Sequence, residues 1–273
     1  MKPTEFAKHE GGTFSLPPDR DPLDAPGAAK AGSREDFPRP LRPRRFIVPL
    51  AVALAGLLLI SIADSAYPFI TKPLSALPLD KFFAAVTQFA TVPTATLICL
   101  TLWLLDRKRR KTIIVFLVAL SLSSTVNETI KQTTGRARPD FSIKLAPRND
   151  RWIHNYLLRH PDAPIRAEKR DQWMLFKPHR PFFTYGYASF PSGHANMAFT
   201  MAAYLSALYP PARLAFFTAA GGCALARVVK RNHWPEDVLV GGAFGWMISQ
   251  IVFSWRWPIR LGGWLCERRW RRL

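Results

Sequence analysis

Cysteine and acidic side chains are the scarce groups in this chain. Of 273 residues only three are cysteine, Cys99, Cys223 and Cys266. Two fall inside long apolar runs and one near the C-terminus, with no metal-ligand spacing among them, so neither a disulfide framework nor a thiolate metal site is implied. Acidic residues number 19 against 38 basic ones. No cluster of carboxylates is placed to hold a divalent cation, so no metal and no cofactor is expected, and any chemistry on an anion must draw its positive field from lysine and arginine. No cleavable signal is expected at the N-terminus. Residues 1–45 are polar, mixed in charge and dotted with proline, from Pro17 and Pro18 to Pro43. That composition predicts a disordered tail followed by an uncleaved anchor.

Hydrophobic side chains make up 48% of the chain, and they cluster. The runs are 46–63, 82–105, 112–126, 195–209, 212–229 and 238–255. About 18 apolar residues suffice to cross a hydrocarbon core of roughly 30 Å. The fourth run is short and needs help from Phe190 and the residues after it. The pattern predicts an all-α polytopic membrane protein with six transmembrane helices over 46–256. The formal charge of +19 invites a nucleic-acid partner, but the basic residues sit largely at the ends of apolar runs, where they act as topology signals. They lie at Arg42–Arg45, at Arg107–Lys111 and in a basic tail over 257–273. The positive-inside rule makes all three cytoplasmic, with both termini inside. No nucleic-acid partner is expected.

Three polar blocks lie at the ends of these runs, all on the side opposite the basic loops. They are Lys131 with Arg138-Pro139, then Pro191-Ser192-Gly193-His194, then Arg227 with His233 and Asp237. A phosphoryl group in transit spreads charge over its oxygens, and catalysis is largely positioning plus electrostatic stabilisation. Lys131, Arg138 and Arg227 supply the field. The backbone N–H groups of Ser192 and Gly193, just before the run from Ala195, form a helix N-terminal anion site, and Gly193 allows close approach. His233 precedes Asp237 by four residues, which on a helical turn puts both on one face. A carboxylate accepting the Nδ1 proton leaves Nε2 as nucleophile. His194 is then the candidate general acid, protonating the leaving oxygen and later activating water. Pro235 suits the first turn of a helix. The active site is therefore expected at the outer membrane–water interface.

Asn127 and Glu128 precede Lys131 at the outer end of the third run. A glutamate three residues before a lysine shares its helix face and can hold it in place, so both are given a supporting role. The connection over 140–190 carries Trp152, Trp173, Phe176 and several more aromatics among Arg and Lys. Such a segment suits the headgroup zone, either as a plain surface loop or as a substrate-gripping lid. It is expected to be extracytoplasmic, with a short amphipathic helix over 150–159 and a second interfacial piece over 171–176. His154, His160 and His179 show no pairing pattern and are read as surface residues.

The three blocks together resemble the type 2 phosphatidic acid phosphatase family, the lipid phosphate phosphatases. The family pattern is Lys, six residues and Arg-Pro, then Pro-Ser-Gly-His, then Ser-Arg with His six residues beyond the Arg and Asp four after that. Lys131, Arg138-Pro139, Pro191 to His194, Arg227, His233 and Asp237 match in spacing. Ala226 stands where the family has Ser, which affects a secondary contact only. The resemblance implies a metal-independent phosphatase in which His233 takes the phosphoryl group and His194 serves the leaving group. The substrate implied is a membrane lipid phosphate or pyrophosphate at the outer face of the inner membrane: undecaprenyl pyrophosphate, phosphatidylglycerophosphate or a lipid A phosphate. A lipid phosphotransferase with an alcohol acceptor uses the same chemistry. A transporter of anionic lipids needs the cations but leaves His233 and Asp237 without a task. The oligomeric state is left open.

Overall fold

A computed structural model describes residues 37–75, 80–139 and 185–270. Among the described residues every regular element is helical. In chain order these are α1 (Arg44–Ser75), α2 (Asp80–Thr87), α3 (Val92–Leu105), α4 (Ile113–Thr134), α5 (Gly193–Leu208), α6 (Arg213–Val229), α7 (Pro235–Phe253) and α8 (Trp257–Trp270). Short 3-10 turns cover 88–90, 107–112, 185–187 and 210–212. The boundaries follow local chemistry. Pro93 stands in the first turn of α3, where its missing N–H costs nothing, and its ring prevents α2 from running on into α3. α4 ends at Gly135, which has φ 57°, a left-handed conformation that glycine adopts without a Cβ clash.

The helices are those of a membrane-embedded protein. The stretches 107–134 and 210–229 are each long and apolar enough to cross a bilayer. α2 with α3, bent by 57°, and α7 with α8, bent by 66°, add two more if each pair is one crossing. α5 has 16 residues, short for a crossing by itself, in keeping with its sequence. Leucines that would be buried in a water-soluble protein face outward instead, among them Leu58, Leu97, Leu104 and Leu214.

α4 and α5 run antiparallel, tied by a buried polar ladder. Thr112 and Tyr204 hydroxyls meet at 2.7 Å, Ser123 and Thr200 at 3.1 Å, and Asn127 Nδ2 donates to the Pro191 carbonyl at 3.4 Å. α7 lies against α5 at backbone contact. A Cβ added at Gly241 would sit 2.4 Å from the Ser192 carbonyl oxygen, and one at Gly245 would sit 2.1 Å from that of Asn196. The Gly-x-x-x-Gly spacing is what lets two membrane helices approach this closely. It sets α7 in fixed register with the start of α5, where the second polar block lies.

At the other end of the helices the core is aromatic. Phe37, Phe116, Tyr204 and Phe253 are buried together, with Phe116 stacked on Tyr204 at 4.5 Å between ring centroids. Phe37 belongs to the stretch read as disordered tail. Instead it is buried, and the Arg39 N–H donates to the Phe253 carbonyl at 2.7 Å. An aromatic side chain with a slot among α4, α5 and α7 overrides the local polarity of its neighbours. The rest of that tail, 1–36, lies outside the described residues, as does 140–184 with Trp152, Trp173, the three histidines and both expected interfacial pieces.

The α5–α7 contact gives a stability prediction. Gly245→Ala should cost about 1–3 kcal/mol through overpacking and lower the melting temperature in detergent. Gly221→Ala, at a helix position with nothing within 4 Å, should not. Equal melting of the two variants would contradict the close approach.

Candidate active site

The first block is carried by the end of α4 and the turn beyond it. Lys131 lies in the last turn, with Nζ 3.2 Å from Glu128 Oε2. Gln132 also donates to Glu128, through its Nε2. The expected bracing of Lys131 by Glu128 is therefore present, strengthened by an amide. After Gly135 the chain doubles back so that residues 136–138 pair with 186–189. Ser189 N–H donates to the Arg136 carbonyl at 3.0 Å and Arg138 N–H to that of Gly186 at 2.8 Å. These two bonds bring Arg138 alongside the approach to the second block.

Ser192 is the N-cap of α5, its Oγ accepting from Ala195 N–H at 3.4 Å. Its own N–H does not face a ligand but donates to the backbone carbonyl of Asp237 at 2.9 Å. The expected pair of anion-binding N–H groups is thereby corrected: the Ser192 N–H couples two blocks. The first-turn N–H groups of Gly193 and His194 are those that helix geometry leaves without an intrahelical partner. The missing side chain of Gly193 has a use here, since a Cβ there would lie 3.3 Å from Lys131 Nζ. Asn127 Nδ2 lies 3.7 Å from the same point, so Asn127 borders the second block while Glu128 touches Lys131 of the first.

The third block leaves α6 at Val229. Arg231 adopts φ 56°, which is costly for a residue with a side chain, and the turn carries the N–H groups of Asn232 and His233 back to the Arg227 carbonyl at 3.1 and 3.3 Å. With its amide oriented to satisfy both ends, Asn232 accepts from Arg227 Nη2 at 2.7 Å and donates to the Lys230 carbonyl at 2.7 Å. The guanidinium of Arg227 is thus aimed from its own turn.

His233 lies outside the helix that follows, because α7 begins at Pro235 with Trp234 as its N-cap. The shared helical face expected for His233 and Asp237 is replaced by a capping turn. His233 Nδ1 is 2.8 Å from the Ser189 carbonyl oxygen and 3.7 Å from Asp237 Oδ2. A carbonyl only accepts, so Nδ1 carries the proton and Nε2 keeps its lone pair. The tautomer is the one anticipated, but a backbone carbonyl sets it and Asp237 contributes its charge from slightly farther away. Asp237 itself is fully buried. It accepts from Arg136 Nη1 at 2.7 Å, from Trp234 N–H at 3.0 Å and from the Ser189 hydroxyl.

Electrostatics show how close the blocks come. His194 lies within electrostatic reach of Arg227, His233, Lys131 and Arg138. His233, in the turn outside the helices, is lowered to about 4, by burial first, with Arg138 and Arg227 opposing the help of Asp237. All three cations and both histidines therefore converge on one place. The His233 imidazole is neutral at pH 7, which leaves a lone pair on Nε2. Among the described residues no group of three or more His, Cys, Asp or Glu side chains is arranged to hold a metal ion.

The model of the PAP2 superfamily matches residues 112–261, from the start of α4 into α8. The chain belongs to the PAP2 superfamily. It is similar to the lipid A 1-phosphatase of Rhizobium etli, at 26% identity over 76% of this chain and 73% of that protein. It is also similar to that of Rhizobium johnstonii, at 32% over 46% of this chain and 41% of that protein. A looser likeness in fold is to the crystal structure of Aquifex aeolicus LpxE, with 18% identity, a TM-score of 0.49, and coverage of 71% of this chain and 96% of that one.

Four residues around this PAP2 site were not read from the sequence: Arg136, Ser189, Trp234 and Glu236. Arg136 has no exposed surface and forms ion pairs with Asp237 and Glu236, its guanidinium 5.3 Å from the centre of the Trp234 ring. Trp234 in turn donates its indole N–H to the Ala137 carbonyl at 2.8 Å. The available signal was a second arginine two positions before Arg138, set against two adjacent acids after a proline. Arg136 does not reach a substrate by this geometry; it neutralises and positions Asp237. Arg136→Gln would leave two buried carboxylates without their counter-charge, a cost of about 3–5 kcal/mol. Thermal unfolding in detergent should show that loss, and Arg136→Gln/Glu236→Gln should recover part of it. A double variant no more stable than the single one would contradict the pairing.

Proposed function

We propose that this membrane phosphatase removes a phosphate monoester from the glycosyl end of an envelope lipid, as the 1-phosphate of lipid A, by way of a phosphohistidine. The observation that carries the reading is the hydrogen bond from His233 Nδ1 to the Ser189 carbonyl, which leaves Nε2 as a buried neutral nucleophile beside three cations. Similarity to lipid A 1-phosphatases supports the choice among the substrates that the sequence leaves open.

Lys131, Arg138 and Arg227 hold the phosphate oxygens, with the N–H groups at the start of α5 completing the cradle. His233 Nε2 forms a bond to phosphorus as the bond to the sugar oxygen breaks. His194 gives its proton to that oxygen. Asp237 and the Ser189 carbonyl stabilise the imidazolium that results. Water, deprotonated by His194, then attacks phosphorus and frees inorganic phosphate and His233. The cations do the work that a metal performs in other phosphatases.

In this reading α1, the α2–α3 pair, α4, α5, α6 and α7 are six crossings within 46–256. Both termini and the Arg107–Lys111 turn are cytoplasmic, and the site faces the periplasm at the inner membrane surface.

Phosphate release by the purified protein, measured against lipid A, undecaprenyl pyrophosphate and phosphatidylglycerophosphate in detergent with EDTA present, tests the reading. Lipid A should be the best substrate, vanadate should inhibit, and His233→Ala and His194→Ala should each lose at least about three orders of magnitude while staying folded. Transfer of the phosphate to an added alcohol in place of release would make the protein a phosphotransferase. Wild-type turnover by His233→Ala would overturn the mechanism.

A further inference from the structure

The helix that follows α7 has a form of its own. α7 contains 19 residues, which at 1.5 Å per residue is about 28 Å, the depth of one hydrocarbon core. α8 then departs at 66°. One side of α8 is fixed to the protein: a Cβ on Gly262 would lie 2.0 Å from the Lys111 carbonyl oxygen, so the backbone of α8 rests on the 107–112 turn. Pro258 and Gly262 on that side are buried. On the flank beside it Trp257, Leu261, Trp264 and Leu265 are exposed by 52, 40, 47 and 44%. Their spacing of i, i+4, i+7 and i+8 makes a single apolar stripe. Arg256, Arg260 and Glu267 are exposed along one border of that stripe, and Arg107 and Lys108 are exposed on the turn beneath.

Three contacts put this surface at the end of the helices remote from the site. The Arg39 N–H bonds to the Phe253 carbonyl, Tyr209 donates to Asp106 Oδ2 at 2.9 Å, and Thr112 meets Tyr204. Arg42, Arg44 and Arg213 are exposed at the same end. Indoles and leucines bordered by arginines suit the boundary between acyl chains and headgroups, where the rings sit at headgroup depth and the guanidinium groups meet phosphate. A continued crossing would instead carry Arg260, Glu267 and the arginines after it into hydrocarbon, at several kcal/mol each.

We propose that α8 lies in the plane of the membrane and, with the 107–112 turn, forms a binding surface for anionic phospholipid headgroups in the leaflet opposite the active site. The assignment to that leaflet rests on the topology given above. The surface anchors the cytoplasmic end of α7.

Nitroxide labels on single cysteines at 261, 264 and 267, in full-length protein lacking the three native cysteines and held in lipid nanodiscs, test the placement. Labels at 261 and 264 should be accessible to oxygen and shielded from a water-soluble nickel complex, and 267 should show the reverse. Spin-labelled phosphatidylglycerol should show a motionally restricted population larger than that of phosphatidylcholine. High salt or Arg256→Gln/Arg260→Gln should reduce it to the phosphatidylcholine level, while phosphate release from a soluble short-chain substrate stays unchanged. Depth increasing steadily from 261 to 267 would show α8 to be a continued span, nickel access at all three positions would show a surface facing water or a protein partner, and equal restriction of the two lipids would remove the anionic preference. Each of these outcomes overturns the proposal. A cysteine at 108 should react with an impermeant reagent only after lysis, and one at 142 in intact cells. The reverse pattern would overturn the leaflet and the topology, separately from the depth profile.

Discussion

A carboxylate with no exposed surface must be surrounded by donors, and the donors around Asp237 come from every part of the site. Arg136 reaches it from the turn after α4, the Ser189 hydroxyl from the approach to α5, and the Trp234 N–H from its own cap. Its backbone carbonyl takes the N–H of Ser192. Three stretches of chain separated by long intervals in sequence are thereby bound to one residue at the first turn of α7. Because a buried charge is costly unless fully paired, each partner is held to its position by the need to satisfy that one group.

The membrane helices make this arrangement possible. Gly241 and Gly245 let α7 touch the backbone of α5, so the start of α5 and the start of α7 meet at the same level. The polar ladder of Thr112 with Tyr204 and Ser123 with Thr200 fixes α4 against α5 in register. Lys131 and Gly193 are therefore adjacent because of contacts made several turns away. In lipid, hydrogen bonds and close packing of small residues replace the hydrophobic effect as the force between helices, and here they also align the chemistry.

Much of this was legible in the sequence. The six apolar runs correspond to helices, and the spacing of the three blocks puts each of them at a helix end. Glu128 braces Lys131 because both lie on the last turns of α4, where a three-residue interval keeps one face. What escaped was backbone geometry that spacing does not encode. Pro235 starts α7 two residues after His233, so the His233–Asp237 relation is a capping turn and the Nδ1 proton goes to a carbonyl 44 positions away in the chain. Arg136 was missed because its partners, Glu236 and Asp237, are brought to it only by the fold. Phe37 looked like part of a polar tail because its slot is built from α4, α5 and α7. Trp257 to Trp270 looked like a basic tail because its apolar stripe is interrupted by glycines and arginines, and it is a helix.

The central claim is that His233 Nε2 accepts the phosphoryl group. Rapid acid-free quenching of the purified protein during turnover of a radiolabelled lipid phosphate, followed by peptide mapping, tests it most directly. The account predicts a phosphoramidate on the peptide containing His233, stable to base and labile to acid, which accumulates when His194→Gln slows attack by water on the intermediate. Turnover at the wild-type rate with no label on His233 at any time, or label on another side chain, would contradict it.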